Sequence, residues 1–225
     1  MNMTSHAGLE LRAEGLSKSL GSSHLFEGVT FTVKAGGLLV VRGTNGSGKT
    51  TLLRMIAGLL DADEGVVQFN QAESSLKAID LDAAIHYFGH HNALKTDQSV
   101  RANLVFWRDF LGGTGDLNEA ATRLDIAHLL DLPVAALSAG QKRRAGFTRL
   151  LLAHRPVWLL DEPTSALDQT STGIMEGLVS QHLQAGGLAV AATHLPFLDD
   201  QATTLELSSF SAGSPDSDPS AGDGW

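Results

Sequence analysis

The sequence predicts an α/β domain with a mainly parallel core sheet, and three observations carry that prediction. First, three short uninterrupted apolar runs read as strands buried on both faces: Leu38-Leu39-Val40-Val41, Val157-Trp158-Leu159-Leu160 and Leu188-Ala189-Val190-Ala191-Ala192. Second, helical patterns separate these runs, and strands that alternate with helices imply parallel crossovers. Third, a glycine-rich loop follows the first run and two acids follow the second, at the carboxyl edge where open α/β sheets take ligands.

Taken in order, Leu9 to Glu14 and Val29 to Val33 alternate apolar and polar residues and predict two half-buried strands. Ala35-Gly36-Gly37 is a turn into the first buried strand. After the glycine-rich loop, Leu52, Leu53, Ile56, Leu59 and Leu60 share one helical face, and Gly58 and Gly65 punctuate its exit. Residues 93–153 lose strand character and read as an inserted helical subdomain, broken at Gly112-Gly113-Thr114-Gly115. The second and third buried strands bracket another helix. Residues 208–225, rich in Ser, Gly, Asp and Pro, predict a disordered tail, which leaves 1–207 as the folded domain.

The bulk properties narrow the function. A net charge of −9 over 225 residues disfavours a nucleic-acid binder that relies on a broad basic surface, although Asp216, Asp218 and Asp223 place part of that charge in the tail. With no cysteine, the chain has no disulfide, thiolate metal site or cysteine nucleophile, and it suits a reducing cytosol. Met1 to Gly15 holds no apolar core of a secretory signal, and no apolar run approaches the ~18 residues of a membrane span. Work at a membrane would need another chain to cross it.

Gly43-Thr44-Asn45-Gly46-Ser47-Gly48-Lys49-Thr50 has the form of a phosphate-binding loop between a buried strand and a helix. Its glycines let backbone N–H groups close around phosphate oxygens, and the positive end of the following helix points at the same anion. In this motif Lys49 reaches the β and γ phosphates of a nucleotide and the Thr50 hydroxyl ligates Mg²⁺, with Thr51 next on the helix. Val157 to Leu160 ends in Asp161 and Glu162, a pair suited to holding the metal and polarising water, respectively.

Leu137-Ser138-Ala139-Gly140-Gln141 resembles the signature sequence of ABC ATPases, with Gln141 standing 20 residues before Asp161. Ser165-Ala166-Leu167-Asp168 resembles the family's D-loop, and His194 after the third buried strand resembles its switch histidine. A lone histidine after a strand is more often structural, but the order of motifs reverses that weighting. The resemblance covers residues 9–207. It implies the P-loop ABC ATPase fold with an N-terminal antiparallel β subdomain, and ATP and Mg²⁺ as cofactors. It implies a head-to-tail homodimer as well, in which Ser138, Gly140 and Gln141 of one subunit face the γ-phosphate held by residues 43–51 of the other. Lys49, Glu162 and His194 are the implied catalytic residues, and Thr50 and Asp161 the implied metal ligands.

Two departures from the family stand out. Its usual Mg²⁺-contacting glutamine falls by position within Tyr87 to Asn92, where His91 occupies the expected site. An imidazole there has a shorter reach and a pH-dependent charge. The aromatic that stacks on adenine is not evident, and Leu20 or Phe26 falls in its region.

Local phrases add a finer resemblance. They include Gly89-His90 with Asn92-Ala93-Leu94-Lys95, Asn103-Leu104 with Phe106-Trp107, and Leu137 to Arg144. Arg149 to Leu152 and Arg155 to Leu160 complete the set. Together they resemble the ATP-binding subunits of the cytochrome c maturation haem exporter. This implies a peripheral protein on the cytoplasmic face of a bacterial inner membrane, bound to integral membrane subunits that handle haem. Two rival readings stay open: an ABC ATPase for another exported substrate, and a soluble ABC ATPase of iron–sulfur cluster assembly. A non-hydrolysing nucleotide sensor is disfavoured by the presence of both Lys49 and Glu162.

Overall fold

The computed structural model describes residues 8–21, 23–70 and 81–210. Strands β1 (Glu10–Leu20) and β2 (Ser23–Lys34) form an antiparallel hairpin, and β4 (Glu64–Asn70) pairs with the other edge of β1. This three-stranded sheet is the N-terminal antiparallel subdomain. The core sheet has five strands, β3 (Leu38–Arg42), β5 (Ile85–Phe88), β6 (Val157–Asp161), β7 (Leu188–Ala192) and β8 (Ala202–Glu206), in the order β5-β6-β7-β3-β8, and every pairing in it is parallel. The short helix α2 (Leu81–Ala84) leads into β5.

Strand alternation divides the apolar side chains between two cores. Val40, Trp158, Leu160, Ala189 and Ala191 face helices α3 (Val100–Phe110), α4 (Leu117–Arg123), α5 (Ala139–Leu152) and α6 (Gln169–Gln184). Leu39, Val41, Leu159 and Val190 point the other way, onto α1 (Lys49–Ile56) and the antiparallel sheet. Between β5 and β6 the described chain forms α-helices, short 3-10 turns and loops. The break expected at 112–115 lies between α3 and α4.

Helix starts follow side-chain chemistry. Ser99, Asp116, Ser138 and Asp168 each cap a helix by accepting from a backbone N–H three residues on. The end of α1 corrects one expectation. Gly58 adopts φ +69°, its N–H bonds Met55 O and the Leu59 N–H bonds Arg54 O, which stops the helix at Ile56. Leu59 therefore leaves the apolar face and is 63% exposed. At the other end of the domain, Leu207–Phe210 forms a 3-10 turn anchored by buried Leu207; the rest of the expected tail lies outside the described residues.

One buried histidine makes the fold sensitive to acid. His86 Nε2 donates to Ala153 O at 2.8 Å, and burial pulls the imidazole pKa down to about 3. The unfolded chain binds a proton near the ordinary value of 6.5 that the folded chain refuses until about 3. Stability is thus full above about 6.5 and is lost as pH falls through that window, by at most about 1.4 kcal/mol per pH unit. In urea unfolding at pH 7 and pH 5, His86→Gln is expected to lose less stability between the two than the wild type. An equal loss in both would assign the acid sensitivity to other groups.

Candidate functional site

The glycine-rich loop runs from the end of β3 to the start of α1. Gly48 shows why a glycine is needed: its φ is +94°, and a Cβ there would lie 2.9 Å from the Phe26 ring. Lys49, the first helical residue, folds back so that Nζ donates to Gly43 O at 2.8 Å and Thr44 O at 3.1 Å. Ser47 Oγ is buried in the same loop and has no hydrogen-bond partner among the described residues.

At the carboxyl edge of β6, Thr50 Oγ1 donates to Asp161 Oδ2 at 3.0 Å and lies 3.2 Å from Oδ1. Burial raises the Asp161 pKa, against the Thr50 hydrogen bond that lowers it, and the neighbouring Glu162 raises it further. The Thr50 hydroxyl and the buried Asp161 carboxylate bring together hard oxygen ligands, a set that fits Mg²⁺. A cation there would relieve the burial cost of the ionised Asp161.

Glu162 sits where the chain turns off the strand, in the left-handed region at φ +49°. Its N–H bonds Ala192 O on the adjacent β7. Its carboxylate accepts from Thr193 Oγ1 at 3.1 Å and from His194 Nδ1 at 3.0 Å. A proton on Nδ1 fixes the orientation of the imidazole against Glu162.

These groups share a cleft of about 510 Å³. The loop and helix start contribute Asn45, Gly46, Gly48, Lys49, Thr50 and Thr51 to its lining, and the strand ends contribute Asp161, Glu162, Ser165 and His194. Leu20 and Leu25 also line it, and among the described residues no Phe, Tyr or Trp does. Phe26 is fully buried beneath Gly48 and offers no ring face to the cleft, so of the two adenine-side candidates only Leu20 reaches it.

The histidine wall differs from expectation. His90 lines the cleft and His91 does not. Past β5 the chain is held by its carbonyls, with Arg143 Nη1 donating to Gly89 O at 2.9 Å and His90 O at 3.2 Å. Held this way, the His90 ring lines the cleft and the exposed His91 ring packs edge-on against it, with centroids 5.6 Å apart. Of the two neighbouring imidazoles, His90 is therefore the one that lines the cleft near Asp161.

Ser138, Gly140 and Gln141 are not among the cleft residues. Ser138 Oγ accepts from Gln141 N at 3.2 Å, and Ser138 N donates to Gln141 Oε1 at 2.9 Å, a reciprocal cap on α5. Gly140 lies against the D-loop: a Cβ on it would come 3.1 Å from Ala166 O. Sequence reasoning missed Thr193 and Arg143. Arg143 stands within Lys142-Arg143-Arg144, a run that reads as ordinary solvated charge.

The model of the ABC transporter family matches residues 26–165. The cytochrome c biogenesis ATP-binding export protein CcmA of Rhizobium meliloti (strain 1021) is 44% identical over 207 residues, covering 90% of this chain and 99% of the relative. The protein of the same name from Rhodopseudomonas palustris (strain HaA2) is 47% identical over 189 residues, covering 84% and 93%. Among solved structures, a putative ABC transporter ATP-binding protein from Pyrococcus furiosus superposes with TM-score 0.76 at 22% identity, covering 90% of this chain and 100% of that one. That likeness speaks for the fold. Among the described residues no helix is long and apolar enough to cross a membrane. With the loop, the acidic strand end and the capped signature helix in one parallel-sheet frame, the chain belongs to the ATP-binding subunits of the ABC transporter family, within the CcmA group.

Proposed function

We propose that this chain, an ABC-type ATPase by family, drives integral membrane subunits that handle haem during cytochrome c maturation. In this reading it works as a head-to-tail homodimer, peripheral to the cytoplasmic face of the bacterial inner membrane. The observation that carries the chemistry is the convergence of Lys49, the Thr50–Asp161 pair and the Glu162–His194 pair on one cleft. The haem role rests on the relatives' name, cytochrome c biogenesis ATP-binding export protein.

This geometry supports the following residue roles. Backbone N–H groups of residues 43–51 and the Ser47 hydroxyl bind phosphate oxygens. Lys49 exchanges its carbonyl partners for the β and γ phosphates. Thr50 and Asp161 hold Mg²⁺, which supplies charge neutralisation for the phosphates. Glu162 accepts a proton from the attacking water and is aimed by Thr193 and His194. Ser138, Gly140 and Gln141 close over the nucleotide of the opposite subunit, with the α5 N-terminus contributing its positive end.

The test is covalently bound c-type haem, read by in-gel haem peroxidase stain, in cells whose only copy of the gene carries Lys49→Ala. Loss of all c-type cytochromes, restored by the wild-type chain, is the expected result. Normal cytochromes would remove the haem assignment and leave the ATPase family membership standing.

A further inference from the structure

We propose that Arg143 is a positioning residue for ATP hydrolysis, holding the main chain on which Glu162 is mounted. The inference rests on the reading of Glu162 as the residue that polarises water. Arg143 belongs to the helix that carries the signature, yet its guanidinium reaches across to the ends of two core strands. Nη2 donates to Asp161 O at 2.6 Å and to Glu162 O at 2.7 Å, and Nε donates to Pro163 O at 3.3 Å. Nη1 holds Gly89 O and His90 O, as well as Asn92 Oδ1 at 3.2 Å. The Phe88 ring lies 4.0 Å from its Cζ and closes the face of the plane.

Apart from Asn92 Oδ1, these partners are main-chain carbonyls, at the point where β5 and β6 deliver His90, Asp161 and Glu162 to the cleft. Glu162 is a non-glycine residue in the left-handed region, a conformation that persists only where its surroundings hold it. One nitrogen bridging the carbonyls on either side of that turn supplies such a hold. Arg143 itself is 4% exposed, and burial lowers its pKa to about 10, so it remains a cation at neutral pH. The guanidinium also ties α5, whose N-terminus faces outward at Ser138, to the water-activating residue of its own subunit.

Arg143 is not among the residues that line the cleft, so the test separates aim from fold and from binding. In the full-length protein, Arg143→Gln is expected to bind a fluorescent trinitrophenyl ATP within about twofold of wild type while kcat falls about 10- to 100-fold, the scale of a small misplacement of a reacting group. Arg143→Lys keeps the buried cation, but one ammonium cannot span both strand ends, so its kcat falls between the two. Should Arg143→Gln not fold, Arg143→Lys decides alone by the same split between binding and kcat. Wild-type kcat in a folded Arg143 variant overturns the proposal, as does a parallel loss of binding and kcat, which would mark a purely structural residue. Glu162→Gln, run alongside, distinguishes the failures: wild-type turnover there sinks the reading of Glu162 itself.

Discussion

In Glu162→Gln the rate of ATP hydrolysis is expected to fall by about 10²- to 10³-fold, with nucleotide binding held within about twofold. The substitution preserves the shape of the side chain and removes its ability to take a proton. It also disturbs the aim, because the wild-type carboxylate accepts from two donors, Thr193 Oγ1 on one oxygen and His194 Nδ1 on the other. An amide offers one acceptor oxygen and turns an NH₂ group toward the remaining donor. The phosphate loop is untouched, since Lys49 and Thr50 bond to Gly43, Thr44 and Asp161. Single-turnover hydrolysis with a separate binding assay checks both halves. An ATP-dependent dimer that persists on gel filtration is the companion result, because closure would no longer be released by hydrolysis. Turnover within about fivefold of wild type would mean that another group activates water.

That site was largely legible in the sequence because its chemistry demands fixed residue types at fixed distances along the chain. A loop that wraps phosphate needs glycines between a buried strand and a helix, and an acid at a sheet's carboxyl edge needs an apolar strand before it. The strands that sequence reasoning missed lack such signals. No residue of β4 or β8 is fully buried, so neither carries the apolar run or clean alternation by which strands are read. β5 spans four residues, too few for a period to emerge.

Sequence position singles out His91, whereas His90 is the one that lines the cleft, because counting along a chain cannot foresee which of two adjacent rings a carbonyl clamp turns toward it. Arg143 shows the limit most clearly. Its partners lie 18 to 54 residues away in sequence and all but Asn92 Oδ1 are main-chain carbonyls, and a backbone acceptor leaves no trace in residue identity.

Neither Lys49→Ala nor Ser138→Asp is expected to hydrolyse ATP appreciably alone, whereas mixing the two folded proteins in equal amounts restores activity. Each cleft lacks Ser138, Gly140 and Gln141 of its own chain, whose capped helix end lies outside it. In a head-to-tail dimer, a Ser138→Asp subunit still has an intact phosphate loop, and a Lys49→Ala partner presents an intact signature to it. Half of randomly assorted dimers are mixed and each holds one complete site, so about a quarter of wild-type activity returns if the sites act independently. Aspartate suits the test because it caps a helix as well as serine does, leaving α5 formed, while its charge faces the γ-phosphate and repels it. Subunit exchange followed by phosphate-release measurement reads the outcome. If each chain completed its own site, mixing two inactive proteins would restore nothing.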